Sequence, residues 1–201
     1  MMKKILVTGF DPFGGELINP AIEAVNRLSD EIDGVAVIKH ELPTIFHKSI
    51  EKLIAAIEKE SPDAVLCIGQ AGGRPNINVE RIAINCDDAR IDDNEGNRPS
   101  DSKIAQDGPD AYFATLPIKA MVSDMNAAKI PAVISNSAGT FVCNHIMYGA
   151  LHYAAKNRPE MRAGFVHIPY LPEQAVGKNA PSMPVDMIVD ALRCMIRTIM
   201  A

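Results

Sequence analysis

Short apolar runs alternate with stretches of helical periodicity from one end of this chain to the other. Residues 4–8, 64–68, 131–135 and 164–168 are runs short enough for buried strands, and residues 35–40 are rich in β-branched side chains. Between them, Asn19-Pro20 places an N-cap ahead of a proline at the first helical position, predicting a helix to about Leu28. Residues 49–60 carry Ile50, Leu53, Ile54 and Ile57 on one helical face, and residues 118–129, 140–157 and 185–200 predict three further helices. Strands that alternate with helices, several of them apolar throughout, imply an α/β fold with a mainly parallel sheet covered on both faces. Residues 76–86 alternate with a period of two, so Glu80, Ile82, Ile84 and Cys86 are expected to share one strand face. The polar stretch 87–110 that follows is long for a structureless loop, and loops of that length often carry function.

No repeat, linker or low-complexity tract divides the chain, so residues 1–201 are expected to form a single domain. A net charge of −5 weighs against a broad nucleic-acid footprint. No run approaches the roughly 18 apolar residues of a membrane span. Lys3-Lys4 and the apolar run after them resemble a secretion signal only briefly, because Gly9, Asp11 and Pro12 interrupt it. The four cysteines are widely spaced, which predicts free thiols in a reducing cytoplasm. The histidines show no HExxH spacing, residues 87–93 lack a calcium-loop pattern, and no glycine stretch is a GxGxxG or a P-loop; neither a metal nor a cofactor is expected.

In open α/β sheets, ligands bind beyond the carboxyl ends of the strands. The unusual segments lie after predicted strands: GFDPFGG at residues 9–15, Gln70 to Arg74, residues 135–143, and His167. Cys67 and Cys194 fall within apolar elements and read as small buried hydrophobes. Cys143 differs, because it sits in the first turn of a predicted helix, where the dipole and unpaired N–H groups favour a thiolate and can serve as an oxyanion hole. A cysteine nucleophile needs a base. His145 and His152 follow Cys143 at spacings that turn them to about the opposite side of the helix. His40 and His47 are not excluded by spacing. His167 is favoured, because a right-handed strand–helix–strand crossover would bring it to the edge where Cys143 lies. For the acid that orients the imidazole, Glu80 on its apolar strand face is favoured over Asp87, Asp88, Asp92 and Asp93, which read as solvated loop acids.

Five blocks together resemble the pyrrolidone-carboxylate peptidases, also called pyroglutamyl peptidases type I. They are GFDPFGG with Asn19-Pro20, GQAGGR at residues 69–74, VERIAIN at 79–85, SNSAGTFVCN at 135–144 and VHIPYLPEQ at 166–174, in the family's order. The resemblance runs essentially end to end. It implies a three-layer α/β/α sandwich and a cytoplasmic, metal-free cysteine exopeptidase, often tetrameric, that releases N-terminal pyroglutamate from peptides through a thioester on the nucleophile. Carried over, Cys143 is the nucleophile, His167 the base and Glu80 the orienting acid. Phe10 and Phe13 would line the lactam pocket, Gln70 would lie beside it, and Arg90 would lie near the oxyanion site. Two aromatic rings flanking Asp11-Pro12 could sandwich a flat, neutral lactam, whereas a free N-terminal ammonium there would be buried unpaired. Two rival readings differ in their predictions. A phosphorylase on a similar sandwich would need a phosphate site and would survive loss of Cys143. A peptide-end binding module would hold the peptide and release no product.

Overall fold

Side chains on a strand alternate between the faces of a sheet, so each apolar run builds two cores at once. The structure, a computed structural model, describes residues 2–201. In β1 (Lys4–Phe10), Ile5 and Val7 face one core while Leu6 and Phe10 face the other. After β2 (Glu31–Ile32) and β3 (Val35–Leu42), β4 (Ala64–Gln70) divides its side chains in the same way, with Leu66 and Ile68 opposite Val65 and Cys67. Helix α1 (Pro20–Asn26) covers the first core and α2 (Lys48–Glu60) the second. Asn19 caps α1 as expected, its side-chain oxygen accepting from the Ala21 N–H, although the helix ends short of Leu28.

The remaining elements are β5 (Ile77–Glu80), β6 (Ile82–Ile84), β7 (Ala111–Phe113), α3 (Ile118–Ala127), β8 (Ala132–Ser135), α4 (Val142–Asn157), β9 (Arg162–Ile168), the single turn α5 (Pro172–Ala175) and α6 (Val185–Met200). Helices α3 and α6 join α1 on the first core, and α4 joins α2 on the second. The result is an α/β fold in three layers, with seven strands in the order β2-β3-β1-β4-β9-β5-β8.

Strands β3, β1, β4 and β9 run parallel, but β5 is antiparallel to β9, and β8 follows β5. The expected parallel crossover from residues 131–135 to 164–168 is therefore corrected. The reason is chain length. Residues 71–76 link β4 to β5, and a connection between parallel strands needs a dozen residues or more. The chain can only turn back, and β8 then pairs parallel to β5.

The expected single strand over 76–86 also divides. The Arg81 N–H donates to the Ser135 carbonyl in the main sheet, while the Arg81 carbonyl accepts from Ala114. Beyond this point β6 pairs with β7 in a separate two-stranded sheet. The phase of the alternation shifts, so Ala83 is buried and Ile84 is 37% exposed, in contrast to Glu80.

Candidate active site

Strand parity assembles the site. Ile77 and Val79 belong to the first core, so Glu80 faces the α4 side of the sheet. In β9, Ala163 and Phe165 face that side, and His167 follows in register. In β4, Val65 and Cys67 do the same, followed by Gly69. Helix α4 begins over this face at Val142, which puts Cys143 in its first turn. Cys143, His167, Gln70, Arg74, Arg90 and Phe13 line a cleft of about 720 Å³. A groove of about 860 Å³ between α3 and α6 is larger, but it is lined by exposed charges such as Asp190 and Arg193, which pair with each other, and by no histidine.

Glu80 is wholly buried behind the cleft. Its Oε1 lies 2.8 Å from His167 Nδ1 and accepts from Arg74 at 3.3 Å, while Oε2 has no hydrogen-bond partner among the described residues. In the β5–β9 register, Asn78 stands opposite His167, so Glu80 reaches it diagonally, within the span of a long side chain. With Nδ1 engaged by the carboxylate, Nε2 is the ring nitrogen left for the cleft.

Burial pushes the Cys143 thiol up to about 12; the Glu80 charge and the Cys67 sulfur add to the rise, and Arg74 opposes it. The expectation that the helix start holds a thiolate is corrected. Phe141, at the N-cap of α4, offers no side-chain cap, and desolvation is the largest influence on the thiol. A thiol held neutral needs a base at the moment of reaction, and an imidazole oriented by a carboxylate can supply one.

The other anticipated residues are only partly brought together. Phe13, Gln70 and Arg90 line the cleft. Phe10 lies beneath it, 2% exposed, with its ring 6.4 Å from that of Phe165. The second aromatic wall is Phe141, whose ring is 6.4 Å from that of Phe13. Gln70 Oε1 accepts from Gln174 Nε2 at 2.9 Å. Arg74 and Phe141 were not singled out from the sequence, although each stands within a quoted motif, at the end of GQAGGR and two residues before Cys143.

Two acids read as solvated are in fact buried. Asp87 pairs with His145. Asp93 accepts the backbone N–H groups of Phe46, Glu95 and Asn97; burial opposes its ionisation, but the Asn97 side chain and these N–H groups hold it below the usual carboxylate range. Asp88 and Asp92 are exposed as expected. Among the described residues, no group of three His, Cys, Asp or Glu side chains is placed to hold a metal ion.

Gly69 has no room for a side chain beside the thiol. A Cβ there would lie 2.6 Å from Phe165 Cζ and 3.0 Å from Cys143 Sγ. Gly69→Ala is therefore expected to displace the thiol or the Phe165 ring and lower kcat/KM about 100-fold, the cost of roughly a 1 Å misplacement. Steady-state kinetics beside a thermal melt checks this, and wild-type kinetics would show that Phe165 yields without disturbing Sγ.

The family model for pyroglutamyl peptidase matches residues 3–201. The chain belongs to the pyroglutamyl peptidase family. By that membership it is a cysteine-type peptidase. It is 65% identical to a pyrrolidone-carboxylate peptidase of Alkaliphilus oremlandii over 94% of this chain and 89% of the relative. It is 58% identical to one of Treponema denticola over 98% and 93%. Among solved structures, pyroglutamyl peptidase I from Bacillus amyloliquefaciens superposes with a TM-score of 0.97 at 49% identity, over 99% of this chain and 95% of that one. A mutant pyrrolidone carboxyl peptidase from Pyrococcus furiosus gives 0.95 at 42% identity, over 98% of each.

Proposed function

We propose that this peptidase removes pyroglutamate from peptide N-termini through a thioester on Cys143, with His167 as base and Glu80 as the acid that orients it. The observation that carries this reading is the Glu80–His167 pair opening onto the cleft that Cys143 lines. His167 Nε2 takes the thiol proton as Sγ bonds to the pyroglutamyl carbonyl carbon. The oxyanion is met by the N–H groups at the start of α4 and by Arg90. His167 then returns the proton to the leaving nitrogen, the C–N bond breaks, and the shortened peptide departs. Water, deprotonated by His167, attacks the thioester, releasing pyroglutamate and restoring the thiol.

Phe13 and Phe141 would clasp the lactam ring, with Gln70 offering its amide to the ring's polar edge. Phe10 is carried over from the resemblance as a pocket residue, but the reading supported by its burial is that it backs the site through Phe165. Phe13→Ala is expected to raise KM about 10- to 100-fold, from the loss of roughly 1–3 kcal/mol of apolar burial and stacking. An unchanged KM would place Phe13 outside the lactam site.

The experiment that tests the function is incubation with a pyroglutamyl fluorogenic amide beside its prolyl analogue. Release from the first alone, blocked by iodoacetamide and unaffected by EDTA, is expected. Binding without release would favour a peptide-end module, and loss of activity in EDTA that zinc restores would require a metal. The proposal includes a tetramer in the cytoplasm, the assembly to be measured by sedimentation. Among the described residues, no helix is long and apolar enough to cross a membrane.

A further inference from the structure

The proposed mechanism uses one buried histidine–carboxylate pair, and the molecule contains a second that it leaves unused. His145 Nδ1 lies 2.7 Å from Asp87 Oδ2, and both residues are buried. On the other side of the ring, His145 Nε2 accepts the backbone N–H of His47 at 2.9 Å. That bond fixes the tautomer. Nε2 carries the lone pair, so the ring proton sits on Nδ1 and is donated to Asp87. Asp87 Oδ1 is buried with no hydrogen bond among the described residues, an arrangement unfavourable to folding by itself.

The three partners converge on the cleft wall. Asp87 opens the segment whose Asp88, Arg90 and Ile91 line the cleft. His145 lies two residues beyond Cys143 on α4. His47 occupies the turn before α2, at a φ of 61°, which residues bearing a side chain adopt uncommonly. The preceding Phe46 sets its ring edge-on to both His145 and Phe141, each at 5.3 Å. Neighbouring tethers hold the same segment by its backbone. Asn144 bonds Ile84 and Cys86, and Thr140 bonds Asp88. Asp87 adds a side-chain anchor with a defined direction, between the Asn144 ties and the Asp88 tie that leads on to Arg90.

We propose that Asp87 and His145 are positioning residues. The chain of bonds from Asp87 through His145 to the His47 N–H holds in place the wall that carries Arg90 in the cleft Cys143 also lines. The kinetic consequence rests on the peptidase reading; the structural one does not.

The test compares His145→Met, which fills the volume without either hydrogen bond, with His145→Gln, whose amide can accept from His47 and donate to Asp87. Asp87→Asn is the third variant. Hydrogen exchange at residues 87–91, hydrolysis of a pyroglutamyl amide and alkylation of Cys143 by iodoacetamide are read in each. For His145→Met, faster exchange and a fall in kcat/KM of about 10- to 100-fold are expected, with no slowing of alkylation because the Glu80–His167 pair is intact. His145→Gln should restore both exchange protection and kcat/KM to within a few-fold. The Nδ1 proton should give a far-downfield proton resonance that Asp87→Asn moves and Glu80→Gln leaves in place.

Wild-type exchange and kinetics in His145→Met overturn the proposal, as does a His145→Gln protein equally impaired. If His145→Met does not fold, Asp87→Leu, which removes the acceptor that an asparagine would keep, decides: faster exchange at 87–91 supports the clamp, and unchanged exchange overturns it. If the wild type cleaves no pyroglutamyl amide, the peptidase reading falls, and exchange and the proton resonance still decide the clamp.

Discussion

Cys143→Ala leaves a folded protein whose turnover falls by about 10⁴- to 10⁶-fold, the scale on which loss of a nucleophile is felt in serine enzymes. The substitution removes only Sγ from a partly buried position and enlarges the space beside Gly69. Because burial holds the thiol neutral, pushed up to about 12, no charge is lost and no partner is left unpaired. The stability cost is therefore about 1 kcal/mol, or roughly 2–4 °C in Tm for a chain of this size. A melt and an active-site titration on the purified variant check both parts. Most of the activity surviving in a protein free of wild type would remove the covalent mechanism. Cys67→Ala supplies the contrast, because Cys67 is wholly buried in β4 and no part of the cleft; it should keep its activity at temperatures where it remains folded.

Glu80→Gln is expected to lower kcat/KM by about 10- to 10⁴-fold, the upper end being the effect of the corresponding change in serine triads. The geometry shows why an isosteric amide fails. Glu80 Oε1 faces both His167 Nδ1 and Arg74, whereas Oε2 faces no donor. If the glutamine keeps its oxygen toward His167, its NH₂ is buried without an acceptor. If it turns over, it presents a donor to Nδ1 and forces the ring proton onto Nε2, where it can no longer accept the thiol proton. Either orientation leaves Arg74 without its anion. The fall should be smaller than for Cys143→Ala, because a thiol gives up its proton more readily than a hydroxyl. One unsatisfied buried group also costs about 1–3 kcal/mol of stability. Kinetics and unfolding midpoints measured together separate the two effects, and wild-type kcat/KM in the variant would take Glu80 out of the mechanism.

The parts of this molecule legible in its sequence are those that depend on local periodicity. Alternation along β1, β4 and β9 determined which side chains face which core, and so placed His167 on the α4 side. Asn19 capped α1 as its identity and the following proline required. The position of Cys143 in the first turn of a helix was also a local matter. What followed from those placements was not local. The same helix start suggested a thiolate, yet the ionisation of a thiol depends on everything packed around it, and burial reversed the sign.

Only the tertiary structure decided which polar group meets which. Glu80 and His167 are 87 residues apart in the chain; the strand pattern favoured Glu80 as the acid, but only the fold brings the two together, and His145 and Asp87, 58 apart, carried no local signal of their pairing. Asp87 and Asp93 sit in a polar stretch, and composition gave them to solvent; long-range partners buried them instead. Phe10 and Phe13 flank the same turn, yet one entered the core and the other the cleft, because Phe10 is the last residue of β1 and inherits its parity. The reversal of β5 and β8 lies between the two cases. The short link at residues 71–76 is a local fact, but the pairing of β5 with β9 rather than β4 is not. Periodicity and caps act over a few residues, where backbone geometry sets the outcome. Pairing is a choice among distant partners, made by the burial and hydrogen bonding of the whole fold.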